Sequence, residues 1–111
     1  MEKKDAYNAA VSFRRHLHRY PEVSVQEFET QAYIVEVLEQ YKIPCQTFGT
    51  GVIAILGKGE RCVALRADMD ALRIMEDTGL PFSSENSGVM HACGHDVHTA
   101  CLLYTSDAAD D

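Results

Sequence analysis

The apolar residues of this chain change their spacing once, and that change decides the fold class. Between Ala6 and Tyr41 they recur at steps of three and four; between Gly51 and Ala67 they run together in short stretches. The first spacing belongs to amphipathic helices, the second to strands covered on both faces. Ala6, Ala10, Phe13, Leu17 and Tyr20 line one face of a first helix, which Pro21 stops. Arg14, Arg15, His18 and Arg19 take its other faces. Cations suit the C-terminal end of a helix dipole, so this cluster reads as solvated, and His16 and His18 as surface side chains rather than ligands. A second helix is expected from Ser24, where Ser24 and Glu27 make an S-x-x-E capping box and Val23 can staple onto Phe28. Phe28, Ala32, Val35 and Leu38 form its buried stripe, with Ile34, Val37 and Tyr41 beside it, and it ends near Tyr41, before Ile43-Pro44. The apolar runs 51–56 and 62–67, separated by Gly57-Lys58-Gly59-Glu60, then read as a hairpin. The expected class is α/β: a mixed sheet with flanking helices.

A length of 111 residues suits one small domain or a piece of a larger one, and 46% hydrophobic residues are enough for a core. The net charge of −7 argues against nucleic acid or an anionic membrane surface as partner. No stretch is apolar enough to cross a bilayer or to serve as a signal segment. The four cysteines, Cys45, Cys62, Cys93 and Cys101, form no CxxC pair. A cytoplasmic protein with reduced thiols is the expectation. Cys62, in an apolar run, and Cys45, beside Pro44, read as small buried hydrophobes.

The chemistry is concentrated in Met90-His91-Ala92-Cys93-Gly94-His95-Asp96-Val97-His98. Thiolate and imidazole are the ligand types that bind zinc-like metals most readily. His91, Cys93 and His95 alternate, so an extended backbone points them to one side. A helix opening at His95 would put His95 and His98 on one face. Cys93 and His95 can meet one metal, with Asp96 or His98 orienting an imidazole. Asp68-Met69-Asp70 follows the second apolar run, where α/β folds place their sites; the same pair of carboxylates also suits a plain strand-end turn.

These segments resemble, in order, the metal-dependent amidohydrolases of the aminoacylase and carboxypeptidase superfamily. The nearest branch is that of hippurate hydrolases, N-acyl-amino-acid amidohydrolases and auxin-conjugate hydrolases. The resemblance rests on Arg14-Arg15-x-Leu17-His18-x-x-Pro21-Glu22, Glu27 and Thr30, Gly49-Thr50-Gly51-Val52, Leu65-Arg66-Ala67-Asp68-Met69-Asp70-Ala71-Leu72, Thr78-Gly79-Leu80-Pro81-Phe82 and Met90 to Ala100. Arg73 stands where the family often has proline, and Val97 where glycine is frequent. The resemblance implies the N-terminal part of a zinc-peptidase-like catalytic domain, truncated before its sheet is complete. It implies two divalent ions (Zn, Mn, Co or Ni) with Cys93 and His95 among their ligands, and Asp70 orienting the site. A histidine ligand takes the position of Asp68 in related branches, which leaves Asp68 without a clear role. The implied substrate is a small N-acyl amino acid, and the implied parent a homodimer. The implied general base is a glutamate downstream of this chain, so the chain alone is expected to be inactive.

Residues 1–100 read as that catalytic portion. From Cys101 to Asp111 the run matches a reading frame through a transposase-end adapter of the kind used in sequencing libraries, and 101–111 is expected to be a non-native tail. Two other readings use the same residues: a small non-catalytic metal-binding or interaction module, and a Cys93 nucleophile paired with His91 or His95.

Overall fold

The computed structural model describes the backbone of residues 2–109 and the side chains of residues 2–105. Helix α1 spans Lys3–Arg19, α2 Phe28–Gln40, and α3 His95–Ala109, with a hairpin of β1 (Cys45–Phe48) and β2 (Gly51–Ala54) between α2 and α3.

The first helix follows the apolar period. Ala6, Phe13 and Leu17 are buried, and α1 stops just before Pro21. The second helix starts later than expected. Val25 takes a left-handed φ of 68°, which interrupts any helix begun at Ser24. The cap comes from Glu22 instead: its carboxylate accepts from the backbone N–H of Glu29 at 3.2 Å and of Thr30 at 2.6 Å. The buried stripe of α2 is correspondingly rotated to Thr30, Ile34, Val37 and Leu38, and Phe28 and Ala32 face solvent.

The hairpin also differs from expectation. Its strands pair Cys45 with Ala54 through Phe48 with Gly51, closing on a two-residue Gly49-Thr50 loop. Gly49 supplies the positive φ (59°) that such a loop requires. The segment 62–67 is not a strand, because among the described residues no neighbouring chain offers it a ladder. Val63 and Leu65 are 86% and 68% exposed, and Cys62 is exposed rather than buried. The sheet of the described residues is therefore two-stranded and antiparallel, not mixed. Mixed pairing appears only as two isolated bridges, Val23 with Ala71 (parallel) and Leu72 with Met90 (antiparallel).

One core joins the helices. Phe13 and Leu17 of α1, Ile34, Val37 and Leu38 of α2, Ile43, and Ala100, Leu103 and Tyr104 of α3 form a single buried cluster. Phe13 stacks on Tyr33 at 5.1 Å and meets Tyr104 edge-on at 5.9 Å. Such pairs add about 0.5–1.5 kcal/mol beyond burial. Leu103 and Tyr104 thus pack as part of α3 although they fall in the expected tail; the side chains from Ser106 onward lie outside the described residues. No helix is long and apolar enough to cross a membrane among the described residues.

Candidate metal centre

Two segments meet at the start of α3. The 68–72 segment is pinned there by Leu72, which exchanges both backbone hydrogen bonds with Met90 at 2.9 Å, and by Ala71 N–H, which donates to Glu22 O at 2.8 Å. Thr99 Oγ1 donates to the Asp68 carbonyl at 3.0 Å, tying the second turn of α3 to the same segment. These bonds bring Asp70 and His95 together across 25 positions of sequence. The Nδ1 of His95 lies 2.9 Å from the Asp70 carbonyl oxygen and 3.0 Å from its carboxylate Oδ1. Two acceptors at Nδ1 hold the proton there and leave Nε2 as the bare, basic nitrogen. This is the arrangement that metal-binding imidazoles use.

Cys93 is exposed. Gly94, between Cys93 and His95, has φ of 93°, and a Cβ on it would sit 3.4 Å from the His98 ring. Only glycine fits that conformation comfortably, and it turns the chain sharply between thiol and imidazole. The His98 ring lies 6.0 Å from that of His95 and is solvent-exposed. Among the described residues, no three His, Cys, Asp or Glu side chains close into a metal cage. The donors fit part of a site: a soft sulfur and a tautomer-fixed imidazole suit a zinc-like ion.

His91 is 4% exposed, and neither ring nitrogen has a hydrogen-bond partner. Burial pulls its pKa down to about 4 against the opposing pull of Asp96, so the ring is neutral near pH 7. Its bare nitrogens also show that the thiol–imidazole pair of a cysteine nucleophile is not formed with His91. Asp68 turns outward to Arg66, 2.9 Å away, and does not face His95.

Asp96 does not orient His95 as its position suggested. It turns to α1, where its Oδ2 accepts from Arg14 Nε and His18 Nδ1, each at 2.8 Å. His18 is 2% exposed, and its Nε2 lies 3.0 Å from Glu76 Oε2. The solvated reading of this basic cluster is therefore corrected: Arg14 and His18 are the partners of two acids. Thr78 Oγ1 donates to the same Glu76 oxygen, and Ser84 N–H donates to Oε1 at 2.8 Å. Burial pushes the Glu76 carboxyl up, but the bonds from Thr78, His18 and Ser84, with the charge of His18, outweigh it and bring it to about 2. His16 is no ligand here; it stacks on Tyr33 with ring centroids 3.6 Å apart. His18 was missed because helix periodicity gives it no apolar signal; the Arg-Arg-x-Leu-His run was the only pointer.

The family profile for peptidase family M20/M25/M40 matches residues 64–111, the stretch that holds Asp70, Cys93 and His95. N-acetyl-L-cysteine deacetylase of Bacillus subtilis is 54% identical over 97 residues, covering 84% of this chain and 23% of that protein. N-acetyldiaminopimelate deacetylase of Bacillus velezensis is 48% identical over 98 residues, covering 84% of this chain and 26% of that protein. The crystal structure of the Bacillus subtilis YXEP protein, described as a dinuclear metal binding peptidase from the M20 family, matches with TM-score 0.91 and 43% identity over 97% of this chain and 32% of that one. Over residues 64–111 the chain matches the M20 family in sequence, and its fold matches that of an M20 structure. The chain spans about a quarter of the length of the curated relatives it matches. The α/β architecture expected from the change of apolar spacing is the M20 architecture over that span.

Proposed function

We propose that this chain is the N-terminal portion of a two-metal amidohydrolase that cleaves the amide of small N-acyl amino acids. One observation carries the reading: Asp70 fixes the His95 ring with Nε2 free, one glycine away from an exposed thiol. Cys93 Sγ and His95 Nε2 would hold the metal, and Asp70 keeps His95 in the tautomer that can ligate. The ions would supply polarisation of the scissile carbonyl and a water of lowered pKa. The thiolate of Cys93 favours Zn, Mn, Co or Ni over Mg or Ca. The deacetylase names of the relatives support an N-acetylated amino acid as substrate class.

Amide hydrolysis also needs a proton acceptor that returns its proton to the leaving amine. Asp70 is engaged with His95, and among the described residues no three His, Cys, Asp or Glu side chains gather into a group that could hold a metal. The base and the remaining ligands are accordingly assigned to a longer, cytoplasmic and homodimeric enzyme, without nucleic-acid or membrane partners. Residues 101–111 are proposed to be adapter read-through. Leu103 and Tyr104 pack because apolar side chains at those helical positions face the core, whatever encodes them.

The test is to read the genomic locus past the codon for Ala100 and express the uninterrupted frame. The full product is expected to hydrolyse hippurate or N-acetyl amino acids with zinc or manganese. The 111-residue chain should show no turnover, because losing the base alone forfeits about 10²–10⁴ in rate. Metal-dependent turnover by the short chain that vanishes in Cys93→Ser would contradict the incomplete-site reading.

A further inference from the structure

The buried ion network below the metal loop joins three separate stretches of sequence. His18 projects from α1 between Asp96, the second residue of α3, and Glu76, in the loop before Phe82. The side chains of all three are at most 4% exposed. Both ring nitrogens of His18 face carboxylate oxygens, so both donate. Asp96 uses its other oxygen, Oδ1, to accept from Val97 N–H at 2.9 Å in the first turn of α3. Arg14 adds a second bond to Asp96 from one turn earlier on α1. Phe82 is held on the same face, with Arg14 and Arg15 guanidiniums 5.0 and 4.9 Å from its ring centre and the His18 ring edge-on at 5.6 Å.

Two buried carboxylates need hydrogen-bond donors, and His18 supplies one to each, which makes this geometry tolerable. What it holds is the residue next to His95. The imidazole of His95 is aimed by Asp70, but the backbone that carries the imidazole is anchored through Asp96. We infer that His18 is a positioning residue for the metal centre: by bridging Asp96 and Glu76 it locks the start of α3, and hence His95, against α1. The inference rests on the reading of His95 as a ligand, and it adds a role for the Arg-Arg-x-Leu-His run that no ligand assignment requires. The Nδ1 bond to Asp96 does the positioning; the Nε2 bond to Glu76 holds the ring itself.

Two conservative substitutions separate those bonds. The amide of asparagine can replace the Nδ1 donor toward Asp96, and that of glutamine the Nε2 donor toward Glu76. In the metal-free 111-residue chain, ¹⁵N-edited NMR should show two hydrogen-bonded ring N–H signals from His18 and a single Nδ1–H tautomer at His95. His18→Asn should keep that tautomer and the slow amide exchange of Val97 and His98. His18→Gln should mix the tautomers and speed those exchanges by about tenfold or more, as loss of one charge-assisted bond implies. A Co(II) titration then reads the ligand assignment separately. Binding should be about tenfold weaker in His18→Gln than in His18→Asn, and a sulfur charge-transfer band should vanish in Cys93→Ser. No such band in the unaltered chain would count against the metal reading alone. Absence of the two His18 N–H signals would overturn the positioning role. So would a His95 tautomer and α3 exchange that respond equally to Asn and Gln.

Discussion

His95 donates its Nδ1–H to Asp70, whose carbonyl and carboxylate oxygens lie 2.9 and 3.0 Å away. This contact decides which ring nitrogen is free, and therefore what His95 can bind. Replacing Asp70 with alanine should let the ring rotate and exchange tautomers. Zinc affinity is expected to fall about 10–100-fold with little change in fold, read by isothermal titration beside circular dichroism. Unchanged affinity would remove Asp70 from the site.

Glu76 gives an acid-stability prediction. Its folded pKa, about 2, is below its ordinary 4.5, so the unfolded chain takes up the proton first. The stability contributed by ionised Glu76 is complete above pH 4.5 and is lost as pH falls toward 2. Urea midpoints across that window should drop more steeply for the unaltered chain than for Glu76→Gln. Parallel curves would contradict the assignment.

His91 is buried with both nitrogens unpartnered. Replacing an unsatisfied polar side chain with an apolar one of similar size is close to neutral or stabilising. His91→Leu should leave the thermal midpoint of the metal-free chain unchanged or raise it. A loss above about 1 kcal/mol would show that the ring has a partner.

The cap of α2 separates the sequence expectation from the structure. Glu22→Ala removes the acceptor for Glu29 N–H and Thr30 N–H and should cost about 0.5–2 kcal/mol. Ser24→Ala, at the expected cap, should cost nothing measurable by chemical denaturation. The reverse order would restore the capping box.

What the sequence made legible was local or short-range. The three-and-four spacing of Ala6, Phe13 and Leu17 reports α1 because a helix repeats within its own length. Glu22 was not recognised as a cap because it reaches the helix from outside the usual capping spacing, around a left-handed Val25. The segment 62–67 has strand composition but no ladder among the described residues, and composition does not report the presence of a neighbour. Cys62 was misread for the same reason. At the site, the metal-ligand residue types in Cys93-Gly94-His95 were visible as a cluster. The resemblance implied only that Asp70 orients the site; its contact with His95 is seen in the structure, since no local pattern joins residues 25 apart. The bonds from His18 to Glu76 and Asp96 span 58 and 78 positions and were invisible to periodicity, which placed a basic helix residue on the surface.

The central claim, that Cys93 is a metal ligand, is tested most directly by the alkylation rate of each thiol, followed by mass spectrometry with zinc and after chelation. Cys62, Cys93 and Cys101 are all exposed, so geometry alone gives them similar access to reagent. A zinc-bound thiolate is shielded until the metal is removed. The account predicts that zinc slows Cys93 alone, that chelation restores its rate, and that Cys62 and Cys101 react alike in both conditions. Equal rates at Cys93 with and without zinc would contradict it.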